Sequence, residues 1–553
     1  MDWHSSIGGE RARGRDVRRR DVRARWIAVL CAILVSVALA PGAAAQKAAP
    51  AAKGVTTVAG GPALRLVVVL VIDQFRPDYV DIYRSELSEG GFLRLEREGA
   101  DFRECFFPYA MTETGPGHAT LATGTTPDRN GIPANEWYSP ALGKEIYGVF
   151  DEGSAVVGGT PGQTPVSPRN LMGTTLADEM RLATGGKSRA FGVALKDRAA
   201  ILSVGHGANG AYWFDSHGAG FVTSLYYRSA LPEWVVEFNR RHALELPADG
   251  AARHAALEKF RESGAANRLV GDFAMALVDN EKLGHGEATD FLFIGFSAND
   301  YAGHAYGPYS TEVREITRET DAALAELLGE LDAKIGRGKY WFALSADHGV
   351  APTLAESRDA KVAKLDAKSI DTKAVRAAVE HALNERWGAA NWLLPAPEIY
   401  FDRKVLAEKN VRIEDAVRTA GEALRNASGI WGYTSEYGSD VPDSIVELYR
   451  RSRFLGRSPD MDIVPLPFAL PNAEKGGTTH GTPFTYDTQV PLILTGGPFM
   501  PGSYYERCSP EDLAVTLAAM LRVHVPSLAT GRVLVEALAA HPAGRASGAS
   551  AGR

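Results

Sequence analysis

Leu64-Arg65-Leu66-Val67-Val68-Val69-Leu70-Val71-Ile72-Asp73 is a valine-rich apolar run that ends in a carboxylate. Only Arg65 interrupts it, and apolar and polar residues do not alternate. The pattern predicts a strand buried on both faces, as in a parallel sheet. Pro77, just beyond, suits the first turn of a following helix.

The same grammar recurs downstream. Phe291-Leu292-Phe293-Ile294-Gly295-Phe296 runs into Ser297-Ala298-Asn299-Asp300. Lys339-Tyr340-Trp341-Phe342-Ala343-Leu344-Ser345 runs into Ala346-Asp347-His348. Phe191-Gly192-Val193-Ala194-Leu195 runs into Lys196-Asp197-Arg198, and Val490-Pro491-Leu492-Ile493-Leu494 follows the stretch around His480. Between the second and third of these runs, Thr311 to Lys334 carries Ile316, Ala322, Leu324, Leu327, Leu328 and Leu331 at helical spacing. Strand, helix, strand, with polar residues at the carboxyl ends, predicts a doubly wound, mostly parallel α/β sheet flanked by helices. Ligands of such sheets bind beyond the carboxyl ends of the strands. Residues 205–285 and 351–450 break the pattern with helical stretches and aromatic loops, and are expected to be cap insertions over the site. The α/β domain is expected to span 62–540.

The 553 residues are 45% hydrophobic and 23% charged, which excludes disorder for the bulk of the chain and excludes a multi-span membrane protein. The ends read differently. Arg11 to Arg25 is arginine-rich, Trp26 to Ala40 is apolar, and Ala43-Ala44-Ala45 precedes Gln46. This is the layout of a secretory signal peptide with cleavage after Ala45, and a periplasmic or secreted protein is expected. The apolar run is short for a membrane span, and Leu30 before Cys31 argues against a lipid anchor. Residues 46–61 read as a linker and 541–553 as a frayed tail. Residues 1–45 hold eight arginines and four acids, so the formal charge moves from −7 to −11 on their removal. No basic run remains to follow a nucleic-acid backbone, so a small-molecule ligand is expected. No heptad suggests a coiled coil, and a monomer is expected. Cys105 and Cys508 remain after cleavage, and the sequence leaves open whether they pair. Without a C-x-x-C pair, any metal must be held by Asp, His and other oxygen ligands.

Several candidate functional residues sit at strand ends. Asp73 ends the first strand. Asp300 and His304 form D-x-x-x-H after a second, and Asp347-His348 follows a third. His480 lies in the loop Gly-Gly-Thr-Thr-His-Gly-Thr-Pro. Singly, each has an ordinary structural reading: a strand-end Asp as a helix cap, a lone His as a hydrogen-bonded core residue. Together, three carboxylates and three imidazoles at one sheet edge suit a pair of zinc ions. Two such ions can hold the attacking and the leaving oxygen of a phosphoryl transfer. Met111-Thr112-Glu113-Thr114-Gly115-Pro116-Gly117-His118 places a hydroxyl before a helix expected at His118 to Ala122, where backbone N–H groups and the dipole suit a phosphate. Thr114 is then either a metal-activated nucleophile or a helix cap. Lys196 and Arg198, two apart in an extended segment, could both face the site and hold a phosphate dianion, or form a solvated pair. Asn135 could donate an amide hydrogen bond to a phosphoryl oxygen or simply form a turn.

In the expected order stand the strand ending in Asp73, Thr-Gly-Pro-Gly-His-Ala, Gly131-Ile-x-x-Asn135-x-Trp-Tyr138, Lys-Asp-Arg, Asp-x-x-x-His, Ala-Asp-His-Gly and Thr-His-Gly-Thr. From about Leu64 to about Arg532 the sequence resembles the phosphate-irrepressible, PafA-like alkaline phosphatases of bacteria. The resemblance implies hydrolysis of phosphate monoesters through a phosphorylated Thr114. It implies one zinc on Asp300, His304 and His480, near the leaving group, and another on Asp73, Asp347, His348 and Thr114. It implies phosphate contacts from Asn135, Lys196 and Arg198, a Lys-x-Arg pair similar to that of monoesterases. The alternatives are a phosphodiesterase or nucleotide pyrophosphatase of the same superfamily and, from another class, a non-catalytic phosphate-binding module. A sulfatase is disfavoured because no Cys/Ser-x-Pro-x-Arg motif is present. A phosphoglycerate mutase-like manganese enzyme is disfavoured by the export signal.

Overall fold

The computed structural model describes residues 63–539 except 219, 360–367, 426 and 472–476. The expected leader, linker and tail lie outside the described residues. The first apolar run forms the strand Leu66–Ile72, every residue of which is buried. It lies parallel between Tyr340–Ser345 and Asp290–Phe296, with Leu66 opposite both Tyr340 and Asp290. Ala190–Ala194 runs parallel to Asp290–Phe296, and Gly210–Phe214 parallel to Ala190–Ala194. Five neighbouring strands therefore share one direction, and their carboxyl ends form one rim. Burial on both faces explains why these runs lack a polar alternation.

Among the described residues the sheet has ten strands, in the order Gly502–Tyr504, Gly99–Phe102, Leu492–Thr495, Tyr340–Ser345, Leu66–Ile72, Asp290–Phe296, Ala190–Ala194, Gly210–Phe214, Phe221–Ser224 and Val156–Val157. Leu492–Thr495 runs antiparallel to Tyr340–Ser345. The loop that precedes it consequently sits at the rim where the parallel strands end, which is how His480 reaches His348 and Asp300. The helices Gly264–Asn280 and Thr311–Leu331 pack on one another beside the sheet, and Thr114–Thr123 packs against Asp197–Val204 and Glu511–Leu521.

Residues 205–285 do not form a separate cap as expected. Their strands Gly210–Phe214 and Phe221–Ser224 extend the central sheet, and Val270, Phe273, Ala274 and Leu277 of the long helix are buried in the main core. Tyr212-Trp213-Phe214, in a stretch where the sequence suggests aromatic loops, is part of a buried strand. Residues 351–450, expected as a second insertion, contribute to a unit that extends further. Ile370, Val379, Leu383, Trp392, Phe401, Val417 and Ala469 belong to a second apolar cluster of their own. This lobe carries the three-stranded sheet built on Ile430–Ser435. It touches the segment leading to Thr114, where the Ser452 hydroxyl accepts from the N–H groups of Ala110 and Met111.

Candidate active site

Thr114 opens its helix, which begins four residues earlier than the sequence predicts. Gly-Pro-Gly is thus the first turn and not a connection. Pro116 is tolerated there because the first N–H groups of a helix have no intrahelical partner. Gly117 is required by packing, since a Cβ at that position would stand 2.2 Å from the Asp347 carbonyl oxygen. The helix end is thereby pressed against the loop carrying Asp347 and His348, and Thr114 is 1% exposed.

Lys196 and Arg198 converge on Thr114, though not by the extended geometry expected. Lys196 is the extended N-cap of the helix Asp197–Val204, and Arg198 lies in its first turn. Lys196 Nζ stands 3.3 Å and Arg198 Nη2 3.4 Å from Thr114 Oγ1. Arg198 Nη1 also donates to the Tyr147 hydroxyl at 3.3 Å, which in turn donates to Asp197. Asn135 Oδ1 accepts from the Gly115 N–H at 2.8 Å, and its own N–H donates to Glu113 Oε2 at 2.7 Å. With Oδ1 engaged, Nδ2 is the group left to donate to a ligand.

Asp73, Asp300, Asp347, His304, His348 and His480 gather beside this trio. Lys196 Nζ lies 2.6 Å from Asp73 Oδ2 and 2.5 Å from Asp300 Oδ2. His304 Nε2 is 3.3 Å and His480 Nε2 3.8 Å from Asp300 Oδ1. His348 Nε2 is 3.4 Å from Asp73 Oδ1 and 3.7 Å from Asp347 Oδ2. The three imidazoles share one device. Nδ1 of His304 meets the Thr478 carbonyl at 2.9 Å, Nδ1 of His348 the Gly349 carbonyl at 2.9 Å, and Nδ1 of His480 the Thr112 carbonyl at 2.7 Å. A proton on Nδ1 leaves each Nε2 lone pair aimed at the carboxylates, the tautomer that metal-ligating histidines adopt.

The residues fit divalent cations by a further criterion. Asp73 Oδ1, Asp347 Oδ2 and His348 Nε2 are buried without a hydrogen-bond partner, which is costly unless another ligand satisfies them. Ligand atoms of Asp300, His304 and His480 lie within 4.8 Å of one another, as do those of Asp73, Asp300 and His348. Burial, followed by the negative charge of Asp300 and Asp347, pushes the Asp73 carboxyl well up. Burial opposes charge on Lys196, but Asp300 and Asp73 outweigh it and raise the ammonium. Burial, then the neighbouring His348 and His304, holds His480 well below the usual imidazole range, and burial likewise lowers His348. One lysine against three carboxylates leaves negative charge that cations would balance.

Three neighbours escaped the sequence reading. Gln74, in a left-handed conformation at φ 59°, donates its N–H to Asp347 Oδ1 at 3.1 Å and its amide to Asp300 Oδ1 at 2.9 Å. Glu113 anchors the Asn135 backbone. His118, part of the Thr-Gly-Pro-Gly-His-Ala motif and not expected as a metal ligand, sets Nε2 3.3 Å from Asp347 Oδ2 and Nδ1 3.3 Å from the Ser203 hydroxyl. Adjacency to Asp73 was the only signal for Gln74.

Comparison with known proteins places this geometry among relatives. The family described as type I phosphodiesterase / nucleotide pyrophosphatase matches residues 67–465. Alkaline phosphatase PafA of Elizabethkingia meningoseptica is 32% identical over 522 residues, covering 86% of this chain and 95% of that protein. The calcium-transporting ATPase of Myroides odoratus is 30% identical, covering 86% and 94%. The crystal structure of wild-type alkaline phosphatase PafA superposes with a TM-score of 0.79 at 31% identity, covering 86% of this chain and 99% of that one.

Proposed function

Because the chain belongs to the type I phosphodiesterase / nucleotide pyrophosphatase family, within the PafA-like alkaline phosphatases, we propose that it hydrolyses phosphate monoesters through a phospho-threonine at Thr114 with the help of two zinc ions. It is a phosphatase of the hydrolase class. The observation that carries the finer reading is the meeting of two cations, Lys196 and Arg198, at the hydroxyl of Thr114, beside six ligand side chains. Asp300, His304 and His480 would hold one ion, and Asp73, Asp347 and His348 with Thr114 the other. Bound there, the ions supply charge neutralisation for the attacking and leaving oxygens of the transfer.

The chain's own groups do the rest. Lys196, Arg198 and the Asn135 amide bind the non-bridging phosphoryl oxygens and orient phosphorus toward Thr114 Oγ1. That oxygen gives up its proton, forms the new P–O bond, and the ester P–O bond breaks, releasing the alcohol. Water then attacks the phospho-threonine, the Thr114 oxygen leaves and regains a proton, and inorganic phosphate is freed. Fixed positive charge around the transferring group carries most of the rate enhancement. The lobe built on residues 370–469 leans on the Thr114 approach and would set leaving-group preference.

The substrate is a small molecule, and the enzyme acts as an exported monomer after removal of residues 1–45. Among the described residues no helix is long and apolar enough to cross a membrane. The family's description favours a second reading, cleavage of diesters. Elemental analysis of the purified protein with a panel of monoester, diester and sulfate substrates tests both. Two zinc ions per chain and dominant monoester turnover are expected. A metal-free active protein, or dominant diester turnover, would overturn the proposal.

A further inference from the structure

Cys105 and Cys508 lie far apart in sequence and side by side in the fold. Cys105 follows the strand Gly99–Phe102, and Cys508 follows Gly502–Tyr504, its parallel neighbour at the sheet edge. The two cysteines are themselves a parallel bridge pair. The Phe106 N–H donates to the Cys508 carbonyl at 3.0 Å, and the Cys508 N–H donates to the Glu104 carbonyl at 3.0 Å. Residues paired across neighbouring strands lie about 5 Å apart at Cα, inside the roughly 4.4–6.8 Å span that a disulfide needs. Both cysteines are buried, at 0% and 5% exposure, and both are free in this structure.

We propose that Cys105 and Cys508 form an intramolecular disulfide in the exported enzyme. The inference rests on the reading of residues 1–45 as an export leader, because thiols persist in the cytosol and disulfides form outside it. The co-reactant is a protein or small-molecule disulfide. A thiolate of one cysteine attacks it and releases one thiol. The second thiolate then attacks the mixed disulfide and releases the other. Two S–H groups are lost, one S–S bond forms, and the co-reactant is reduced to two thiols. Burial pushes the Cys105 thiol well up, so exchange belongs to folding, before the edge closes over it. The link would tie the segment leading into Thr114 to the segment leading into the helix Glu511–Leu521, which packs on the Thr114 helix. It is a brace for the nucleophile's support and touches no reacting atom. Closing so long a loop is where cross-links restrict the unfolded chain most.

The test uses the full chain exported to a bacterial periplasm and purified without reductant. Free thiols are alkylated under denaturing conditions before digestion and mass spectrometry. A single linked Cys105–Cys508 peptide that separates on reduction is expected. A melting midpoint several degrees higher for the oxidised protein than for the C105S/C508S double variant, at equal turnover per site, is also expected. Alkylation of both cysteines without reduction, or attachment of either to another molecule, would overturn the proposal, as would equal midpoints. A parallel preparation carries an established export leader in place of residues 1–45. Cytoplasmic retention of the first preparation alone would count against the leader, and the second would still decide the disulfide.

Discussion

Lys196 Nζ stands 3.3 Å from Thr114 Oγ1 and so sits between the nucleophile and the carboxylates of Asp73 and Asp300. It contacts the Thr114 hydroxyl on one side and the carboxylate cluster on the other. Lys196→Ala and Arg198→Ala are each expected to lower kcat/KM for monoesters by about 10²–10³. The loss for diesters, which carry one charge fewer, is expected to be at least tenfold smaller. Parallel kinetics on both substrate classes check this, and equal losses would remove the pair from the role of dianion clamp.

Thr114→Ala is expected to abolish turnover by more than about 10³-fold while leaving the melting midpoint within a few degrees of wild type. Thr114→Ser keeps the hydroxyl and is expected to keep measurable activity. Acid quenching during turnover should yield a phosphorylated peptide containing Thr114 in the wild type and none in the alanine variant. An alanine variant that still turned over would end the covalent mechanism.

Exhaustive chelation is expected to remove activity and also to lower the melting midpoint, because Asp73, Asp300 and Asp347 would be left with Lys196 as their nearest buried cation. Added zinc should restore both. His304→Ala should weaken zinc retention in competition with a chelator, measured without any substrate. Unchanged retention would detach His304 from the metal centre.

Gly117→Ala sets helix propensity against packing. Propensity alone favours alanine by about 1 kcal/mol. The added Cβ would meet the Asp347 carbonyl oxygen at 2.2 Å, and displacing that backbone is expected to cost about 1–3 kcal/mol or more. Denaturant unfolding should therefore show net destabilisation. Gly115→Ala, whose Cβ meets the Asn135 side chain at 3.2 Å, should be milder.

Glu511 offers a pH prediction away from the ligand cluster. Burial pushes its carboxyl up to about 7, against a hydrogen bond from Thr530 that lowers it. Between roughly pH 4 and 7 the folded chain would hold a proton that the unfolded chain has released. This group's contribution to stability therefore falls as pH rises across that window, by at most about 1.4 kcal/mol per pH unit, and is level above it. Glu511→Gln removes this proton, so the stability difference between variant and wild type should change across that window and be level above it. A variant profile parallel to wild type would refute the buried acid.

Much of this was legible in the chain because parallel strands buried on both faces announce themselves as unbroken apolar runs. Asp73, Asp300 and Asp347 could be placed because each lies within four residues of the end of such a run. His480 could be placed only with the loop before a strand whose direction the sequence does not state. The helix start at Thr114 was set too late because Pro116 and Gly117 read as a turn, whereas packing on Asp347 favours them within a first turn. Residues 205–285 were misassigned because their strands are short, and Gly210–Phe214 reads as an aromatic loop until it has a partner. Gln74 was invisible because its role comes from a left-handed backbone and two distant carboxylates.

The reversed direction of Leu492–Thr495 gives His480 a different tether from its companions. Asp73, Asp300 and Asp347 are delivered by chain leaving the sheet, whereas His480 arrives on chain still travelling toward it, out of the lobe of residues 370–469. Insertions or deletions in that lobe are expected to displace His480 and its neighbour His304 before they reach Asp73.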